Sequence, residues 1–189
     1  SMPYRARVTF DEEDNASVRV TSDLAGLALH LPAPFGKTAG ETRSLLVTSD
    51  VASGSGQVRL PPWGRARWRT QGDALQGQVW LEDWPQAPQW PRQAGWFVNW
   101  QPARLDPQQW ISLLRERDLE ADVAAKSAAQ PREAGGAGGA SSTLQRVSIS
   151  TPCVVVDGDC RGALQAAATP LGEGWQLALS GPIAAGTAQ

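Results

Sequence analysis

The sequence predicts a mostly β protein: an antiparallel, strongly twisted or curled sheet forming a groove segment, with one short amphipathic helix. Three observations carry this expectation. Apolar residues recur with period two in runs of roughly five to eight residues, the length and spacing of strands. The 19 glycines and 14 prolines fall mostly between those runs, where turns would lie. With 41% hydrophobic and 19% charged residues, the chain has the apolar content of a folded protein rather than a disordered one.

Tyr4, Ala6, Val8 and Phe10 alternate with Arg5, Arg7 and Thr9 in a first strand, and Val18 and Val20 mark a second. Asp11-Glu12-Glu13-Asp14-Asn15 between them reads as a solvated hairpin tip, because its spacing is not that of a calcium loop. Leu27, Leu29 and Leu31 share one face of a short strand, opposite Ala28 and His30, before the loop Pro32-Ala33-Pro34-Phe35-Gly36-Lys37. Leu45, Val47, Val58, Leu60, Ala66 and Trp68 continue the alternation, followed by Leu75, Gly77, Val79 and Leu81 and by Trp96, Val98 and Trp100.

A helix is expected at about 107–117: Asp106 caps it, Pro107 suits its first position, and Gln109 stands where a capping-box partner would. Trp110, Ile111 and Leu114 form its apolar stripe. Residues 3–125 thus form one β-sheet segment with its helix, and 126–143, rich in Ala, Gly and Ser, a flexible linker or loop. Strands resume over 144–189 and continue the same sheet, with Val147, Ile149, Leu177 and Leu179 on its apolar side.

Composition excludes several function classes. A net charge of −2 argues against a nucleic-acid surface, which needs a basic excess. No run reaches the length of a membrane-spanning helix. The opening Ser1-Met2 reads as a cleavage remnant ahead of an internal start, so the chain is expected to be a piece of a longer protein. One histidine, His30 among leucines, and two cysteines make neither a catalytic constellation nor a zinc set, so no enzyme activity, metal or cofactor is expected. Gly36-Lys37-Thr38 echoes a phosphate-binding loop, but Leu31 stands where that motif needs glycine.

Cys153 and Cys160 flank an Asp157-Gly158 turn. Their spacing permits a disulfide in an oxidising compartment. A two-residue hairpin would pair Val155 with Cys160 and place Cys153 opposite Gly162, leaving the sulfurs diagonal; two small core thiols are the alternative. Among the nine tryptophans, Trp84 and Trp90 lie in an extended Trp/Pro-rich segment, either as a lid over the sheet or as an exposed binding surface. Trp68 and Trp80 are candidates for packing with arginine on the mixed face.

The segment Ser22-Asp23-Leu24-Ala25-Gly26-Leu27-Ala28-Leu29-His30-Leu31-Pro32-Ala33-Pro34-Phe35-Gly36-Lys37 resembles a signature of the large AsmA-like proteins of the YhdP type. Leu105-Asp106 with Trp110, Leu113 and Leu114, and the closing Gly174-Trp175-x-Leu177-x-Leu179-x-Gly181 strand, are similar to the same family. The resemblance implies a periplasmic, inner-membrane-anchored protein of Gram-negative bacteria. Such a protein conducts phospholipid between two membranes along an apolar β-groove, in support of outer-membrane lipid homeostasis, and has no catalytic residues. The expected partners are phospholipid or another acyl-chain lipid and neighbouring segments of the longer protein. Periodicity assigns the lipid-facing positions: Leu27, Leu29, Leu75, Val79, Leu81, Val98, Val147, Ile149, Leu177 and Leu179. The alternatives are a β-sandwich module binding carbohydrate or protein through the Trp/Pro-rich loop, and a structural spacer.

Overall fold

A computed structural model describes residues 2–113, 115, 144–172 and 174–188. Its strands are β1 (Tyr4–Phe10), β2 (Ala16–Ser22), β3 (Leu45–Asp50), β4 (Ser55–Leu60), β5 (Gly64–Gln71), β6 (Ala74–Leu81), β7 (Gly95–Trp100), β8 (Leu144–Thr151), β9 (Val155–Val156), β10 (Asp159–Cys160), β11 (Leu164–Leu171), β12 (Gly174–Ser180) and β13 (Gly186–Ala188). Eleven form one sheet in the order β1-β2-β3-β4-β5-β6-β7-β8-β11-β12-β13, while β9 and β10 make a separate hairpin. The sheet is open, with β1 and β13 at its two ends.

The sheet is mixed rather than antiparallel. β6 pairs parallel with β7, and β7 parallel with β8; the other neighbours are antiparallel. Parallel neighbours need a connection that carries the chain back to its starting edge. Residues 82–94 supply the first return, and helix α1, over residues 107–113, lies between β7 and β8 in the chain. The expected end of that helix near Arg117, its stripe residue Leu114 and the linker 126–143 lie outside the described residues.

Register places one apolar row across every strand. Ala6, Val20, Val47, Val58, Ala66, Val79, Val98, Val147, Ala168, Leu177 and Ala188 succeed one another as direct cross-strand partners. A second row on the same face runs Leu60, Gly64, Leu81, Trp100, Ile149, Ala166 and Leu179. Because side chains alternate across the pleat, the opposite face collects the polar residues. Every basic residue of the sheet is an arginine, all of them on that face, and the sole acid in its strands is Asp50.

The core lies over the second row. Leu24, Phe35, Trp63, Trp100 and Leu105 are buried together, with Leu27, Leu29, Leu45, Leu60, Leu81, Trp110 and Ile149 packed against them. Phe35, Trp100 and Trp110 meet edge to face at centroid distances of 5.3 to 5.9 Å. Segment 23–44 and α1 therefore cap one end of the apolar face. On α1, Trp110 faces this core, but Ile111 is exposed, so the helix contributes a narrower stripe than expected. Asp106 caps it by accepting from Gln108 N–H at 3.0 Å and from the Gln109 amide at 2.8 Å.

The strand expected at 27–31 is not formed. Only Leu29 and Lys37 bridge, exchanging backbone hydrogen bonds of 2.8 and 3.0 Å. Pro32 and Pro34 remove the donors a longer ladder needs. The chain instead folds back on itself, and Leu31 turns outward while Leu27 and Leu29 stay on the core. Lys37 is buried, its ammonium donating to Leu27 O at 2.9 Å and to Thr38 O at 3.0 Å, which staples the loop closed.

Candidate functional site

The apolar face beyond the cap is the candidate site. Of the positions expected to face lipid, Leu75, Val79, Leu81, Val98, Val147, Ile149, Leu177 and Leu179 all project from this face. Leu81 and Ile149 pack under the cap, and Leu27 and Leu29 belong to the cap rather than to the sheet. The rest are half-buried, except Leu177, which is 37% exposed. Toward β1 the face opens further, with Tyr4, Val8 and Phe10 all more than half exposed.

Two glycines flatten this surface. Gly56 pairs with Trp68, and Gly77 with Trp96. A Cβ at either glycine would overlap the facing indole ring. The absence of a side chain lets each tryptophan lie down across its neighbouring strand, a Gly–aromatic pairing that covers backbone with apolar surface. Trp68 thus sits on the apolar face, and the expectation that it packs with arginine on the mixed face is corrected.

Trp80 does reach the other face, where the 82–94 crossover covers it. Its ring meets Trp84 at 4.4 Å, and the Arg67 guanidinium lies 5.4 Å from its centroid. Arg67 and Arg69 both stack on Trp90, at 3.9 and 4.5 Å, and Arg65 on Trp84 at 5.1 Å. The crossover's carbonyls complete the seal: Pro91 O accepts from the Gln76 amide, Gln89 O from Gln78, and Pro88 O from Arg67. Gln78 Oε1 in turn accepts from Arg67 Nε and Nη2. Burial, and after it the charge of Arg69, draws Arg67 below its ordinary pKa. Trp84 and Trp90 are therefore occupied as a lid over the polar face.

The remaining polar candidates are dispersed. His30 is exposed on the capping segment. Cys153 and Cys160 form a disulfide with a Cα separation of 5.3 Å. The hairpin register is that expected, Val155 opposite Cys160, yet the cysteines are close enough to bond. Cys153 has left the hairpin ladder: its N–H donates to Thr151 Oγ1, and its carbonyl accepts from Leu105 N–H at 2.9 Å. That turn carries Cys153 toward its partner, a displacement that strand spacing alone does not reveal.

Among the described residues, the strands set no acidic or basic side chain on the apolar face, so its chemistry is that of an apolar contact surface. The grooves that indent the molecule lie largely on the arginine-bearing face, one of about 660 Å³ across β1 to β5 and another of about 330 Å³ beside Asn99, Ser148 and Ala178. Comparison with protein-family models, with curated proteins and with solved structures yields no match.

Proposed function

We propose that this chain binds acyl-chain lipid, phospholipid in particular, along the apolar face of its sheet, as part of a longer AsmA-like protein that passes lipid between the inner and outer membranes. The observation that carries the reading is the unbroken row from Ala6 to Ala188. At about 4.8 Å per strand it extends roughly 48 Å perpendicular to the strands. An acyl chain laid on it contributes about 0.8 kcal/mol per buried CH₂. The cap at the Phe35–Trp100 end supports a surface with one covered and one open margin. The disulfide supports an oxidising compartment, consistent with the periplasm. The function is binding and conduction, without a catalytic step.

Organic extraction and mass spectrometry of the purified chain tests this, with a tryptophan-rich protein of similar size prepared identically. Phospholipid well above that control is expected. Leu177→Asp, which places a charge on an exposed part of the row, is expected to lower it several-fold with unchanged thermal unfolding. Lipid no higher than the control, or undiminished in Leu177→Asp, overturns the reading. The β-sandwich alternative loses its support, because the Trp/Pro-rich loop is already engaged by arginines and one open sheet stands in place of two packed ones.

A further inference from the structure

On the face opposite the lipid-binding one, we infer that the groove across β1 to β5 is a binding site for an extended anionic oligosaccharide. Its floor is a row of donors brought together by register: Arg7 faces Arg19, Arg19 faces Thr48, Thr48 faces Gln57, and Gln57 faces Arg67. Two arginines directly opposite on an antiparallel pair repel each other. Among the described residues, neither Arg7 nor Arg19 has an ion-pair or hydrogen-bond partner to offset that repulsion. A second arginine pair stands one row away, where Arg59 faces Arg65, but there Arg59 Nε donates to Gln57 Oε1 at 3.3 Å and Arg65 stacks on Trp84. Asp50, the sole acid of the eleven-stranded sheet, lines the groove, but its Oδ1 accepts from Ser53 N–H within its own turn. An anion would supply the counterpart that Arg7 and Arg19 lack, whereas Arg67, at the far end of the row, already donates to Gln78 Oε1 and Pro88 O.

The shape and the intervening groups define the class of anion. The groove holds about 660 Å³, within the range of small-ligand sites. From β1 to β5 it spans four strand spacings, about 19 Å, far longer than a lone phosphate. Between the guanidinium groups stand hydroxyls and an amide, including Thr9, Thr48 and Gln57, which match sugar hydroxyls rather than acyl chains.

Calorimetric titration of the full chain with a heparin-derived hexasaccharide at low salt tests the inference, with maltohexaose, inorganic phosphate and phosphatidylglycerol vesicles as comparators. The hexasaccharide is expected to bind and maltohexaose not. Affinity should fall at least tenfold in R7Q/R19Q, which relieves repulsion and so keeps the fold, and less than threefold in R146Q on the same face. Absence of hexasaccharide binding, equal losses in R7Q/R19Q and R146Q, or tight binding of phosphate or vesicles alone overturns it. Vesicle binding bears on the lipid reading as well, and the two are separated by face: binding lost in Leu177→Asp belongs to the apolar row, and binding lost in R7Q/R19Q to the groove.

Discussion

The two faces of β6 reverse the usual distribution of burial. Gln76, Gln78 and Trp80, on the polar side, are buried, whereas Leu75, Val79 and Leu81, on the apolar side, are only half-buried. Hydrophobicity alone would predict the opposite. The polar side is sealed because the 82–94 crossover presents carbonyls at Pro88, Gln89 and Pro91 to amide and guanidinium donors beneath it. Each buried donor is thereby satisfied, without which its desolvation would cost about 1–3 kcal/mol. Among the described residues, the apolar side has no such internal cover beyond the cap. The described crossover thus covers the face that needs specific hydrogen bonds, whereas the described part of the apolar face beyond the cap is one that any apolar partner can cover.

Substitutions on the two faces sharpen this contrast. The largest loss is expected where the apolar face is covered: Trp100→Ala should destabilise by about 3–5 kcal/mol in denaturant unfolding, as large aromatic-to-alanine changes in packed sites do. An effect below about 1 kcal/mol would mean that the cap does not hold. Cys160→Ser should cost about 2–3 kcal/mol by releasing the loop constraint, and should loosen the hairpin whose Cys153 and Val155 bracket Leu105 in the cap. Thermal unfolding with and without reductant measures it; insensitivity to reductant would argue against the bond.

Gln78→Leu, a change to a more hydrophobic residue, should still cost about 1–3 kcal/mol because it strips Arg67 and Gln89 O of a partner. Its neighbour Val79→Thr, a change to a more polar one, should cost less than that. If Val79→Thr proves the more damaging of the two in urea unfolding, the contrast between the faces fails. The smallest effect is at the β1–β2 tip. There the Asn15 side chain, then its backbone N–H, hold Asp11 below the ordinary aspartate range. Asp11's stabilising contribution is full above the unfolded-state pKa and is lost as pH falls through its lowered folded value. Asp11→Asn should therefore lower the melting temperature slightly at pH 6 and leave no difference from the parent at about pH 2.

Alternation made most of the apolar face legible: β1 to β8 and β12 show a period of two, and it assigns Val79, Val98, Val147 and Leu177 to one side, whereas the alanine run of β11 shows none. Strand direction was not legible in the same way, because a period of two reads identically in either orientation. The signal available was length: thirteen residues from 82 to 94 exceed a hairpin loop and suit a crossover. Leu27 and Leu29 misled for a related reason. Their alternation is real, but two prolines follow too closely for a second strand to pair with them, and the leucines became a plug. The burial of Gln76 and Gln78 was hidden because it depends on carbonyls more than ten residues downstream, which no local pattern announces.

The staple at Lys37 makes the cap observable from outside. The chain has two lysines, Lys37 and Lys126. With its ammonium turned inward onto two carbonyls, Lys37 is shielded from amine-reactive reagents for as long as segment 23–44 stays seated. Its acylation rate, followed by peptide mass spectrometry, therefore reads at a single site how often that end of the sheet comes open, without any change to the sequence.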